Sequence, residues 1–412
     1  MTHKTARALA IATLVAASVA IAVQRGEAHK AITSKYTYND DVFPILRDRC
    51  SNCHVPGGVA PMSLMTYDDA FPWAESIRAE LVASHMPPWN AEEGYGEFKR
   101  AHTLTPKELD VILTWATGGN PRGSLDQKLP GVALKNDWKL GAPDLSLKMP
   151  ADFTIAPDTM DDWQEFTLAT GTTEARWIRA VDLLPGNPAF VRSATISVKS
   201  AAPAAGSSPA PERVLALWLP GQESAANDGI AFRLPAGAQL GLRIHYKKTW
   251  QFEGKPLTDR STVGVYFLQN GATAASQELL ALPIDSPAPA PGNARTMKFS
   301  HTLAEDLQAV AFSPDQVPGN ITLQVEAVKP DGSRVPVIRL NTRADWDRRY
   351  WFERPLALPR GTRVEVTANL EDPDMLSSAF TATPGAAPAM ARASSMRVTL
   401  NVIPARAKPT AP

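Results

Sequence analysis

Two cysteines are all that 412 residues contain, and they stand three positions apart, at 50 and 53. That count rules out a disulfide framework as the source of stability. Net charge is lacking as well: 42 Lys and Arg are matched by 42 Asp and Glu. Such a balance gives no reason to expect nucleic acid or an anionic membrane as partner. Beyond residue 23 no run is apolar for the ~20 residues that span a bilayer, so no membrane span is expected. Histidine is scarce, with 7 in the chain, which leaves few imidazoles for any metal site.

Other features are plentiful. The 36 prolines are well above the average usage of roughly 5% and favour turns and sheets over long helices. With 44% hydrophobic and 20% charged residues, the chain can bury real cores, and its length calls for two or three domains.

The first residues read as an export signal, with His3, Lys4 and Arg7 ahead of a weakly polar to apolar run from Ala8 to Val23. Gly26-Glu27-Ala28 supplies small residues for cleavage, so residues 1–28 are expected to be a signal peptide, with an uncleaved anchor as the alternative. Either way, the bulk of the chain is expected outside the cytoplasm, in the periplasm.

"RCSNCHVPGG", residues 49–58, holds both thiols. A thioredoxin-like dithiol should lie between a strand and a helix, and a zinc site needs two further ligands at recognisable spacing. Cys50-x-x-Cys53-His54 instead has the c-type haem attachment pattern. In that pattern both thiols add to the porphyrin and the adjoining imidazole is the fifth iron ligand. One covalent haem c is therefore expected. Helix signals surround the motif: Asn39 or Asp40 as cap of a helix starting near Asp41, Thr66-x-x-Asp69, and Thr105-Pro106-x-Glu108 followed by Val111, Ile112 and Trp115. Three short helices around a haem make a small all-α domain, expected over 34–128. Candidates for the sixth ligand are Met62, Met65, His85 and Met86. Met86 is preferred because Pro87 and Pro88 stiffen its loop. Trp89 and Trp115 are expected to pack beside the haem.

Further motifs carry a resemblance. "DVFPILRDRCSNCHVPGGVAPMSLMTYDDAFPWAESI", "MPPWN" and "LTPKELDVILTWATGG" resemble the cytochrome c module of bacterial proteins related to the copper type II, ascorbate-dependent monooxygenases. "RWIRAVDLLPGN", "LPAGAQLGLRIHYKKTW", "DRSTVGVYF" and "WDRRYWFERPLALPRGT" follow in that family's order. The resemblance spans roughly 34–400 and implies two all-β, jelly-roll-like sandwiches, over 138–283 and 284–405. Periodicity supports sheets independently. Leu240, Leu242, Ile244 and Tyr246 alternate with Gly241, Arg243, His245 and Lys247. "NITLQVEAVKPDGSRVPVIRL" reads as two strands joined at Pro330-Asp331-Gly332, and "TRVEVTANL" as another. "AAPAAGSSPAP", 201–211, and the stretch 286–291 read as linkers.

The family implies two copper sites, one holding a His-His pair with a later histidine, the other His-x-His with a methionine. Here Arg192-Ser193 stand at the pair, and only His245 matches the third ligand. Pro314 and Gln316 stand at the His-x-His positions, and Met396 or Met390 at the methionine. A guanidinium has no lone pair for a metal, so these positions are too depleted to hold copper. His245 shares its strand face with Arg243 and Lys247 and is expected in solvent, as is His301. The preferred function is an exported monohaem cytochrome in electron transfer with a periplasmic redox partner, working through an exposed haem edge, the sandwiches being a docking or scaffold module. Two alternatives stay open. One is a copper monooxygenase hydroxylating C–H bonds through altered ligands. The other is a haem-based sensor or small-molecule haem enzyme, with His85 and His102 as possible acid–base groups.

Overall fold

The computed structural model describes residues 33–99, 103–199, 213–222, 229–268, 277–287, 295–343, 345–371 and 395–405. The expected signal segment, His102, Met390, the linker 201–211 and most of 286–291 lie outside them. Few residues are helical; most of the ordered backbone is in sandwich-type sheets. No helix among the described residues is long and apolar enough to cross a membrane.

The helices gather at the start of the chain. A wide turn, Tyr38–Val42, runs directly into α1, Phe43–Arg49. Thr37, not Asn39 or Asp40, caps it: its hydroxyl accepts the Asp40 N–H at 3.3 Å. Asn39 is instead buried and donates to the Ser124 carbonyl at 2.9 Å. The short α2, Tyr67–Ala70, is capped by Thr66, and α3 covers Ala74–Val82. α4, Pro106–Thr117, opens with a complete capping box between Thr105 and Glu108. Its apolar stripe, Val111, Ile112 and Trp115, closes a core with Tyr38, Phe43, Leu46 and Leu64. An ion pair from Arg49 to Glu108 at 3.0 Å ties α1 to the start of α4.

The first sandwich pairs two sheets. One runs in the order β1 (Leu145–Lys148), β10 (Thr262–Phe267), β4 (Arg176–Leu184), β7 (Ile230–Leu234) and β11 (Gln277–Glu278). The other runs β3 (Asp161–Ala169), β8 (Gln239–Lys247), β5 (Val191–Val198) and β6 (Arg213–Trp218). A small ribbon of β2 (Phe153–Ile155) and β9 (Leu257–Asp259) lies beside them. Along β8 the period of two is real, since Leu240, Leu242, Ile244 and Tyr246 all enter the core.

The second sandwich has the orders β12 (Leu280–Asp285), β19 (Arg397–Pro404), β14 (Leu307–Gln316), β17 (Tyr350–Leu358) and β13 (Thr296–Thr302), β18 (Arg363–Asn369), β15 (Thr322–Val328), β16 (Arg334–Asn341). β15 and β16 form the hairpin expected around Pro330-Asp331-Gly332. Its first strand begins at Leu280 and pairs with β19, so the junction between the sandwiches falls before 284.

Two packing features depart from a string of separate domains. The first sandwich's core takes in Val310, Ala311, Trp351 and Ile403 from the second. Arg349, buried between them, donates to the Leu215 and Val214 carbonyls at 2.9 and 2.8 Å. The segment 34–128 is also not self-contained. Ala91 bridges to Leu340 and Phe98 to Phe352, and Glu92 N–H donates to the Arg339 carbonyl at 2.7 Å. Trp89, Ala91 and Phe98 belong to the second sandwich's core, so Trp89 packs on Tyr350 rather than beside the cysteine motif. A helix-poor stretch with bulky apolar side chains and no helical stripe to bury them finds its partner in the neighbouring sheet.

Candidate functional site

α1 ends at Cys50, and the turn after it folds back so that the Cys53 and His54 N–H groups both donate to the Cys50 carbonyl, at 3.1 and 2.8 Å. This compact loop sets Cys50, Cys53 and His54 on one side of a cavity of about 340 Å³. Leu46, Leu64, Ile77, Leu81 and Ile112 give it apolar walls, and Met86 and Met62 reach it from the loops. Two of the candidate sixth ligands do not line it. His85 Nδ1 lies 3.0 Å from a Glu80 carboxylate oxygen, and Met65 is packed into the helical core.

Electrostatics separate the possible uses of the thiols. Burial pushes Cys50 up to about 12, with Cys53 adding to the shift, and pushes Cys53 up to about 11. Thiols held protonated are poor nucleophiles and poor metal ligands, which argues against a redox dithiol or a thiolate metal site. His54 is held below its ordinary value, chiefly by burial, and so stays neutral with a lone pair available. Its Nδ1 lies 3.1 Å from the Met62 carbonyl. With Nδ1–H donating there, Nε2 is the nitrogen free to bind a metal. Met62 thus contributes through its backbone, a role its side chain did not signal.

The wall beside the cysteine loop is completed by the sandwiches. Arg192, Pro220, Gly221, Gln222, Trp346 and Arg348 line it. Gly221 has a φ of +73°, and a Cβ there would lie 2.3 Å from the Asn52 Cβ, so only glycine lets this turn press on the residue between the two cysteines. Gln251 donates to the Pro61 carbonyl at 2.9 Å and Arg348 to the Pro88 carbonyl at 2.7 Å. These contacts hold the sandwiches against the loops that border the cavity. Arg348, Gln222 and Trp346 escaped sequence reasoning because they lie far from the motif along the chain. The one available signal was the run of arginines between aromatics in "WDRRYW".

Of the residues that the resemblance set against copper ligands, those of the first sandwich come together. Ser193 is opposite His245 across β5 and β8, and Arg192 occupies the extra position of a bulge there. Contrary to expectation, His245 is not in solvent: it is 2% exposed. Trp163 stacks on it at 4.3 Å and 1°, and Asp161 lies 2.8 Å from Nε2. Alternation placed His245 outside the core, but it could not show that a neighbouring ring and the 345–348 segment cover that face. His301 is exposed. In the second sandwich, Pro314 and Gln316 sit opposite Val398 and Arg397. Met396, just before β19, is buried in the core with its N–H donating to Ser286 Oγ at 2.9 Å.

Asp161, His245 and Asp345 offer ligand atoms within 4.8 Å of one another. The Lys247 ammonium already lies 2.6 Å from Asp345 and 3.6 Å from Asp161, so a cation would compete with it. Nearby, Asp347 is raised to about 7, first by dehydration and then by the charges of Asp315 and Asp345; the residue is nevertheless exposed, so solvent screens much of this effect on stability. Between roughly pH 4 and 7 the folded chain keeps a proton that the unfolded chain has released, so stability falls as pH rises through that window. Asp347→Asn is expected to raise Tm at pH 8 and to leave it nearly unchanged at pH 4, as thermal melts at the two values will show.

No protein-family model matches the chain, and no curated protein matches it. Among solved structures it is similar to an allantoicase, with a TM-score of 0.17 and 11% identity over 59% of this chain and 78% of that one. A second likeness is to Sulfolobus turreted icosahedral virus, with a TM-score of 0.14 and 7% identity over 68% of this chain and 99% of that one. Likenesses this slight assign neither fold nor function.

Proposed function

We propose that this chain is an exported monohaem c-type cytochrome that passes single electrons to or from a periplasmic protein, with the β-sandwiches serving as a wall and docking body for the haem lobe. The supporting observation is that Cys50, Cys53, His54 and Met86 converge on one apolar-walled cavity. Its volume of about 340 Å³ falls within the ~300–1,000 Å³ of cofactor sites. In this reading the two thiols form the thioethers, His54 Nε2 is the fifth ligand and the Met86 sulfur the sixth. A haem held in this way supplies one-electron chemistry, with a thioether ligand favouring a high potential.

The chain's own residues have definable tasks. The Met62 carbonyl fixes the His54 ring, which keeps the donor nitrogen aimed and basic. The aliphatic walls and the Pro220–Gln222 turn cover part of the cavity, which lessens the solvent that has to reorganise on electron transfer. Localisation and export rest on the N-terminal pattern, and the resemblance to copper type II monooxygenases rests on sequence motifs.

A second reading, a monooxygenase with altered ligands, has one observation in its favour: the Asp161, His245 and Asp345 cluster. Lys247 opposes it, and so do the arginine and proline at two former ligand positions. Metal analysis and the mass of the denatured, exported chain separate the two. The proposal expects one iron and a haem-sized mass increment; stoichiometric copper with oxygen-dependent C–H hydroxylation would favour the second reading. Met86→Ala is expected to remove the methionine-to-iron charge-transfer band of the oxidised protein, and its persistence would move the sixth ligand to Met62.

A further inference from the structure

The sandwich wall of the cavity carries two guanidiniums without counterions. Arg192 is 9% exposed and Arg348 6%, and both line the cavity. Neither forms an ion pair with a carboxylate among the described residues. The Nε of each is buried without a hydrogen-bond partner, as is the Gln222 side-chain oxygen beside them. What they do have is slight: Arg348 donates to the Pro88 carbonyl at 2.7 Å and lies over Trp89 at 5.2 Å, and Arg192 lies over Trp346 at 5.3 Å. Asp345 and Asp161 act on Arg192 only at longer range. Leaving even one charge buried and unpaired costs several kcal/mol. Two on one wall, in a chain with no net charge to explain them, indicate that the cavity is built for an anion.

Chemistry narrows the anion. A guanidinium offers a planar fork that matches a carboxylate, and most of the remaining lining is apolar, with Arg49, Asn52, His54, Ser76, Glu80 and Gln222 as its polar members. The favoured ligand is therefore a carboxylate borne on an apolar body, charge toward the sandwich and body toward Leu46, Leu81 and Ile112. We propose that Arg192 and Arg348 form a carboxylate-binding site through which the β-sandwiches grip whatever fills the cavity. The carboxylate has two possible sources: the acid side chains of the tetrapyrrole, in which case the inference rests on the proposed function, or a free organic acid entering beside it. In either case the arginines are positioning residues, and removing their charge is expected to favour the oxidised, more positive iron.

The test uses the full exported chain, as wild type, Arg192→Gln, Arg348→Gln and the double variant, with sodium benzoate as the carboxylate probe and sodium chloride at equal ionic strength as control. Haem mass is measured first, then the reduction potential with and without probe. If the tetrapyrrole is the source, benzoate leaves the wild type unmoved. The double variant then shifts the reduced-to-oxidised ratio at fixed potential about tenfold toward oxidised, equivalent to ~59 mV for one electron. If a free acid is the source, benzoate lowers the wild-type potential saturably and the double variant does not respond. Should the glutamine variants fail to accumulate, Arg192→Lys and Arg348→Lys are expected to shift the same readouts by less, because an ammonium makes no fork. Intact haem with unmoved potentials and no benzoate response overturns the inference alone. Absence of haem overturns the proposed function instead; calorimetric binding of benzoate, lost in the double variant, would then still support the site, and no binding would end it.

Discussion

Replacing Cys50 and Cys53 together with alanine is expected to yield a chain whose denatured mass is that of bare polypeptide and whose helical lobe no longer resists protease. Two effects combine. In the proposed reading, the variant has no thioethers and keeps only the His54 and Met86 bonds to iron, which reverse on denaturation. The cavity then loses whatever fills it. At ~24 cal/mol per Å³ of void, about 340 Å³ corresponds to at most ~8 kcal/mol. That figure is comparable to the ~5–15 kcal/mol that holds a whole domain together. Two features bring the real cost below the limit: the cavity is partly open, and its walls can collapse. Single variants keep one thioether and are expected to retain the mass increment while melting earlier. A double variant that still carries the increment after denaturation would show attachment elsewhere and remove the basis of the proposed function.

What the sequence made legible follows from the range of the interactions that create it. The Thr66 and Thr105 caps, the α4 stripe, the β8 alternation and the turn at Pro330-Asp331-Gly332 are governed by neighbours within a few positions, and all are present. The same holds for the placing of Cys50, Cys53 and His54 on one wall, since a three-residue spacing after a helix leaves the loop few ways to close. Contacts distant in sequence had no such signature. Nothing local announces that Trp89 and Phe98 leave the helical lobe for the second sandwich, that Trp163 and the 345–348 segment cover His245, or that Arg348 reaches the cavity. The cap at Thr37 was missed for a related reason: Asn39, the better capping residue by type, is engaged by the distant Ser124 carbonyl.

Trp115 is a fully buried support of the helical lobe, and Trp115→Ala is expected to unfold that lobe in preference to the sandwiches. The indole is 0% exposed, lies 6.0 Å from the Tyr38 ring and donates Nε1–H to the Pro121 carbonyl at 3.2 Å. Tyr38 in turn donates to the Leu64 carbonyl at 2.8 Å, so one indole supports α4, the entry to α1 and the loop that follows the cysteine motif. Truncating a buried tryptophan costs ~3–5 kcal/mol, much of a small lobe's margin. Trp115→Phe keeps most of the packing and is expected to cost less: the Pro121 carbonyl still accepts the Tyr38 N–H at 2.8 Å, so the loss is chiefly the ~0.5–1.5 kcal/mol of one hydrogen bond. Hydrogen exchange of the full chain reads both effects region by region. Loss of protection in 34–86 and 105–118, with the strands of both sandwiches unchanged, is the expected pattern. Equal loss across the chain would mean that the three cores melt as one, as the seating of Trp89 in the second sandwich would then explain.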